Sequence, residues 1–345
     1  MTFSNAPEIK EMAIGLGVPP KTDPVEGIVE YCFRRINRWT KGSSANLTID
    51  QLEKLILKKL KMVIEEVHSD HELDQVIAKY TGKGEFVFAT LKEGFSGNTF
   101  GTLFERKTNV TAASPDRYVA VIDCRGDKAF RRFFTRWHEI AHALTLYKQL
   151  ELPLHRYGSD PEERLMDHIA AKVGFYPSIF QPLVNAAIAK QGRLSFDSID
   201  EIRSRFAPSA SYEATMNACM AATDVPTLKL VIGYGLKKSE QATITQFENR
   251  TACERLPQAK LRALTVRGNS AAKNSSFRIY QNMRIPKESA LARAFADRSY
   301  RCRGVVEELS TWTTSAGQSL PPHQVCLDAR ECGQTFVALV SLRRS

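Results

Sequence analysis

No apolar run in this 345-residue chain approaches the roughly 18 residues that a bilayer-spanning helix requires. The opening stretch, MTFSNAPEIKEMAIGLGVPP, lacks a basic start, a long apolar segment and a small-residue cleavage site, so no signal peptide is expected. A disulfide framework is missing too. The seven cysteines, Cys32, Cys124, Cys219, Cys253, Cys302, Cys326 and Cys332, are odd in number and scattered, which fits free thiols in a reducing cytoplasm. Internal repeats and low-complexity tracts are absent, which argues against solenoids and disordered arrays. Dense Lys/Arg clusters are absent as well, although the net charge is +10. Residues 226–345 hold 19 Lys+Arg against 9 Asp+Glu, and residues 1–225 hold 29 of each, so the excess sits in the last third. Without an RNA-binding signature, a solvated basic face accounts for that excess better than a nucleic-acid surface.

What remains is an ordinary globular composition, 43% hydrophobic and 25% charged, long enough for two or three domains. A helix is expected from Thr48 or Asp50, then a strand at Met62–Val67 and a short helix over DHELDQVIAKY. EFVFATL (Glu85–Leu91) and RYVAVID (Arg117–Asp123) read as strands, with a glycine-bearing turn and another strand between them. Asp127 is a candidate N-cap for a helix over Lys128–Leu146, and Ser159 or Asp160 for one ending before Pro177. Three short helical patterns follow, QPLVNAAIAKQ, DSIDEIRSRF and ASYEATMNACMAA. Beyond Thr227 the strand-like stretches are TLKLVIGYG, SSFRIYQN and QTFVALVSL, interrupted by the helix ESALARAFAD. The fold class is therefore α+β. Residues 1–225 form one expected domain, including the helical segment 178–223, and residues 226–345 a basic C-terminal α+β domain.

The chemistry concentrates in FFTRWHEIAHALTLY, where His138-Glu139-Ile140-Ala141-His142 matches HExxH. Chance alone would place this pattern in about one chain in a hundred of this length, so its context has to decide. At about 100° per residue, His142 lies about 40° from His138. Phe133, Phe134, Trp137, Ile140, Ala141 and Leu144 fill an adjacent apolar arc. The histidines thus border the buried face, where two imidazoles reach one zinc ion. A catalytic zinc needs a third protein ligand. The downstream helix repeats the layout with Glu163 and Asp167 beside its own apolar arc, whereas Glu162 points into that arc. Glu163 is the expected third ligand, and Asp167 the acceptor that holds a ligand histidine's far nitrogen. Glu139 is the expected proton carrier of a metal-assisted amide hydrolysis. His155, Tyr157, Tyr147 and Tyr176 are equal candidates for stabilising the oxyanion, and His168 reads as solvated.

Phe133–Thr145 followed by EERLMDHIAAKVGFYP resembles the ImmA/IrrE family of zinc metallo-endopeptidases. Glu163, Asp167, Ile169, Ala170, Ala171 and Pro177 carry the likeness. Met166 stands where the family has alanine, and Gly174-Phe175-Tyr176 where it has an aliphatic run. The resemblance spans residues 118–223 and implies a zincin-like core of a small β-sheet, the HExxH helix and a Glu-bearing helix. It implies His138, His142 and Glu163 as Zn2+ ligands and Glu139 as the catalytic base. It further implies a cytoplasmic regulator that cuts a partner helix-turn-helix repressor in a stress-response or mobile-element switch, with a GAF-like C-terminal domain. Two other readings compete. One is a DNA-binding regulator using Ser198–Phe206 and Ser211–Ala222 as a helix-turn-helix, which the absence of Lys and Arg from ASYEATMNACMAA opposes. The other is a zinc hydrolase acting on a non-peptide amide.

Overall fold

The computed structural model describes residues 3–41, 47–95, 99–106, 116–146, 160–237, 240–241, 257–314 and 316–343. These form a mixed α+β protein that divides into two compact units, 1–182 with 203–218, and 183–202 with 219–345. Among the described residues no helix is long and apolar enough to cross a membrane.

The first unit begins with α1 (Pro7–Gly15), α2 (Pro24–Thr40) and α3 (Ile49–Leu60). Their starts are written locally. Asp23 accepts a hydrogen bond from the Glu26 backbone N–H, with Pro24 at the first helical position. Thr48 and Gln51 form a reciprocal capping box at 3.2 and 2.9 Å. Lys61 then takes a left-handed conformation (φ 52°), which stops α3 and turns the chain into β1 (Met62–Val67). After α4 (Asp70–Thr81), a 3-10 turn at Phe86–Thr90, and α5 (Leu91–Gly94) come β2 (Gly101–Glu105) and β3 (Tyr118–Asp123). The sheet order is β1-β3-β2, with β1 parallel and β2 antiparallel to the central strand.

Alternation along β3 sends Val119 and Val121 to one face, where they join Phe104, Tyr80, Phe88 and Leu91 in one apolar cluster. The opposite face receives α6 (Arg132–Thr145), which packs on β2 and β3. At the end of β3 the buried Asp123 accepts from Arg125 (Nε, 2.8 Å) and Lys128 (Nζ, 2.8 Å), which fixes the connection into α6. α7 (Pro161–Gly174) lies against α6, capped by Asp160 and opened by Pro161. Then follow α8 (Pro177–Gln191), α9 (Phe196–Phe206) and α10 (Tyr212–Ala222), and the division between the units falls within these three helices.

The second unit is built on a six-stranded sheet, β6-β5-β4-β9-β8-β7, antiparallel throughout. Its strands are β4 (Thr227–Gly235), β5 (Lys260–Gly268), β6 (Met283–Arg284), β7 (Arg303–Glu308), β8 (Gln324–Cys332) and β9 (Thr335–Leu342), with α11 (Ser270–Lys273) and α12 (Ala290–Ala296) between them. Leu183–Ile202 groups with these strands, whereas the expected division after residue 225 places it in the first domain. Ion pairs give the reason: Arg193 meets the buried Asp328 at 3.0 Å, Arg303 meets Asp197 at 2.9 Å, and Arg330 meets Asp200 at 2.6 Å.

Several expected elements differ. Glu85–Leu91 is a 3-10 turn running into a helix rather than a strand, because burial falls on Phe88 and Leu91, three residues apart, and leaves Phe86 exposed. SSFRIYQN buries Phe277 and Ile279 in alternation but, among the described residues, forms no strand, and its Arg278 side chain donates to the carbonyls of Ala272, Lys273 and Phe277. The helix expected from Lys128 begins at Arg132 after a 3-10 turn, and Arg131 rather than Asp127 occupies its N-cap without a side-chain bond. β5, β7 and β8 had no expected counterpart.

The Asp123 cluster yields a pH-dependent test. Burial opposes the charge, but the bonds from Arg125 and Lys128 outweigh it and hold the carboxyl below its ordinary range. A depressed folded-state pKa means the stabilisation is present above the unfolded value of about 3.9 and fades as pH falls below it. Asp123→Asn should therefore destabilise metal-free protein at pH 7 by about 3 kcal/mol, as for a broken buried ion pair. Urea midpoints of the wild type and the variant should converge as the pH is lowered to about 3 and below.

Candidate metal centre

The two histidines of α6 sit one turn apart and turn their rings toward α7, with ring centroids 4.9 Å apart. The approach of the helices rests on small and large residues in register. A Cβ on Gly174 of α7 would lie 2.9 Å from the indole of Trp137, so glycine there lets the Trp137 ring lie flush with the backbone of α7. Thr145 donates to the Ala141 carbonyl at 2.9 Å and lies 3.5 Å from the sulfur of Met166. α6 is held from its other side by Arg136, which meets Glu53 of α3 at 2.8 Å and Glu66 of β1 at 2.7 Å. At its C-terminus the Leu144 carbonyl accepts from Arg35 of α2 at 2.9 Å, satisfying one of the orphan acceptors of a helix end.

Within this frame three donors converge. His138 Nε2 lies 3.0 Å from Glu163 Oε2, His142 Nε2 3.4 Å from Glu163 Oε1, and the two Nε2 atoms 3.2 Å from each other. A tetrahedral zinc with bonds of about 2.0–2.1 Å separates its ligand atoms by about 3.3 Å. Each histidine nitrogen stands near that separation from the other and from the Glu163 oxygen nearest it, and one ligand atom from each of the three residues lies within 4.8 Å of the others, close enough for one ion to bridge. The far nitrogen of His138, Nδ1, is bonded to Asp167 at 2.9 Å, which orients the ring and leaves Nε2 as the nitrogen that faces the cluster. Glu163 rather than Glu162 reaches the histidines, the register expected from the helical arcs, and Glu162 is buried.

The charges respond to this packing. Burial works against a charged His138, but its bonds to Asp167 and Glu163 and the nearby Glu139 prevail and lift its pKa to about 10. Burial likewise works against a charged Glu163, yet the bonds from both histidines hold its carboxyl far below the usual range. The metal-free cluster thus keeps its balance by holding a proton, and a divalent cation is the natural replacement for that proton. Glu139 behaves oppositely. It is 4% exposed, and burial pushes its carboxyl above the ordinary value. A Cβ on Gly101, the first residue of β2, would sit 2.6 Å from Glu139 Oε1 and 2.8 Å from Thr135, so the glycine leaves the space that the carboxylate occupies. Gly101 was not singled out from sequence; a glycine just before a strand was its only signal.

A second group of metal-ligating types, Glu66, His68 and Cys124, gathers at the end of β1 and β3. It is poorly suited to a cation. Glu66 is already paired with Arg136 at 2.7 Å and Arg132 at 3.6 Å, and burial lifts the Cys124 thiol to about 11. Of the oxyanion candidates, Tyr147, His155 and Tyr157 lie outside the described residues, and the Tyr176 hydroxyl donates to Asn37. Ser159, a candidate cap, and Cys253 also fall outside them. His168, expected in solvent, is half-buried 3.5 Å from Glu26 of α2. A scan against models of known protein families finds none that matches this chain, and no curated protein matches it.

The ligand set separates neighbouring carboxylates experimentally. Glu163→Ala should abolish tight zinc binding, Glu162→Ala should leave occupancy near one per chain, and Asp167→Ala should weaken affinity by about 10–100-fold. Titration calorimetry in buffers of different ionisation enthalpy should show about one proton released per zinc at pH 7, because binding deprotonates His138.

Proposed function

We propose that this chain is a zinc metallo-endopeptidase with a zincin-like core, of the kind found in the ImmA/IrrE family. The observation that carries the reading is the convergence of His138, His142 and Glu163, with one ligand atom of each within 4.8 Å of the others, beside the buried Glu139. Zinc, when held there, supplies Lewis acidity toward a carbonyl and lowers the pKa of water to about 7. The remaining work falls to the chain. Glu139 accepts a proton at its carboxylate and returns it to the departing amine, and a pKa raised by burial suits it to both directions. Asp167 keeps the His138 ring in place while that charge moves. The carboxylate itself is buried, in the space left by the absent side chain of Gly101.

A polypeptide substrate is favoured over a smaller amide by β2. It is an edge strand of the described sheet, and its first residue touches the proton carrier. An extended peptide pairing with that edge would pass in front of the metal. The DNA-binding alternative has no comparable support: α10 carries no Lys or Arg along its described length and has Glu213 in its first turn. By the family likeness, the substrate is a helix-turn-helix repressor in a stress-response or mobile-element switch. We assign the second unit, an antiparallel sheet with short helices, the role of a GAF-like sensor or substrate-presenting domain.

Glu139→Gln should retain zinc at about one per chain and lose peptide hydrolysis by about 100-fold or more. Gly101→Val should also retain zinc, because no ligand moves, yet lose turnover as the new side chain displaces Glu139. Cleavage of a candidate repressor, followed by mass spectrometry beside metal analysis, reads both. Hydrolysis that survives Glu139→Gln at the wild-type rate would remove the basis of the proposal.

A further inference from the structure

Beyond the metal cluster, α6 leads into a second feature that the proposed chemistry does not use. His138, His142 and Leu146 follow one another at four-residue spacing, so they lie along one face of the helix. Leu146 lines a cavity of about 450 Å³ together with Tyr31, Arg35, Arg38, Trp39 and Lys59. Among the described residues, two aromatic rings and three cations line it, and no acidic residue does. Arg35 lies over the Trp39 ring at 5.0 Å and is fixed there by its bond to the Leu144 carbonyl.

Helix ends give these cations one simple role. α2, α3 and α6 all terminate at this cavity, and each C-terminus carries about half a negative charge. Three termini amount to about −1.5, which three full positive charges exceed. The cavity therefore stays net positive after the dipoles are neutralised, and only Arg35 is tied to a described terminal carbonyl there, that of Leu144. Arg38 and Lys59 stand exposed at the rim.

We infer that this cavity holds an acidic side chain of the polypeptide substrate. Its carboxylate would sit between Arg38 and Lys59, and its stem along Trp39 and Leu146. One helical turn separates His142 from Leu146, a rise of about 6 Å. An extended peptide advances about 3.3 Å per residue, so the acid lies about two residues from the cleaved bond. The inference rests on the peptidase reading for the direction of the chain, and it adds a substrate class: peptides acidic close to the scissile bond.

The test uses the full chain, zinc-loaded, carrying Glu139→Gln so that peptide binds without being cut. The probes are a fluorescein-labelled Ala/Leu peptide bearing a glutamate pair, and its twin with glutamine in their place, followed by anisotropy. The glutamate peptide should bind about tenfold more tightly, and that preference should shrink as salt is raised. Arg38→Glu with Lys59→Glu should erase the preference while zinc content and circular dichroism stay unchanged. Equal binding of the two peptides to the unreversed chain, or a preference that survives charge reversal, overturns the inference. A single-stranded oligonucleotide that binds more tightly than the glutamate peptide, with the same dependence on Arg38 and Lys59, overturns it in favour of nucleic acid. Hydrolysis by chain retaining Glu139 is read separately. Cutting without acid preference removes the cavity's role alone, whereas acid preference without cutting of any peptide removes the peptidase reading and leaves an acidic-peptide site.

Discussion

The close contact between α6 and α7 is the constraint on which the rest of the molecule's chemistry depends. Two imidazoles four residues apart on one helix always point the same way, but they make a metal site only when a carboxylate is held opposite them. Here Gly174 lets α7 come against Trp137, and that approach brings Glu163 to 3.0 Å from His138 and Asp167 to 2.9 Å from its other nitrogen. The sheet does the same for Glu139. β2 begins with a glycine where any side chain would collide with Glu139. Arg136 and Arg35 then tie α6 to α3, β1 and α2, so the helix bearing the histidines is fixed along its length.

Charge balance explains why such a cluster is tolerated in the interior of a unit. Glu139 and Glu163 are buried or nearly so, Asp167 adds a third carboxylate, and among the described residues the two imidazoles are the groups bonded to these carboxylates that can carry positive charge. Buried carboxylates without compensation are costly. The metal-free protein meets the demand by holding His138 protonated, and Glu139 meets it from the other side by favouring its neutral form. In the proposed reading, a divalent cation would serve the same balance better, since it would take the place of the proton on His138 and let Glu139 work as a base. The competing group at Glu66, His68 and Cys124 lacks that need, because Arg132 and Arg136 already neutralise its carboxylate.

Much of this was readable from the sequence because helical periodicity is a local property. The 100° advance per residue placed His138 and His142 together, and it chose Glu163 over Glu162 without knowledge of any distance. Helix starts at Thr48 and Asp160 were equally local, since a cap is a side chain bonding to a backbone two or three residues on. What stayed hidden depends on partners distant in sequence. EFVFATL is rich in aromatic and β-prone residues like a strand, yet stacking of Phe88 on Tyr80 and Phe104, each at 4.3 Å, draws it into a helical turn. β5 carries Arg262 and Arg267, which obscure a strand pattern. Its Arg262 is nevertheless buried, satisfied by the carbonyls of Gly235 and Asn282 and by Glu240. The role of Gly101 likewise exists only once β2 and α6 are packed together.

The central claim concerns one metal ion and the atoms that hold it, and X-ray absorption at the zinc edge of the zinc-loaded full chain addresses it most directly. The account predicts a four-coordinate site with two imidazole nitrogens and carboxylate and solvent oxygens, all within about 2.0–2.2 Å, and no sulfur. A sulfur scatterer at about 2.3 Å would place the ion at a cysteine instead, and an all-oxygen shell would show that the histidines of α6 hold no metal. Either result would contradict the assignment of His138, His142 and Glu163.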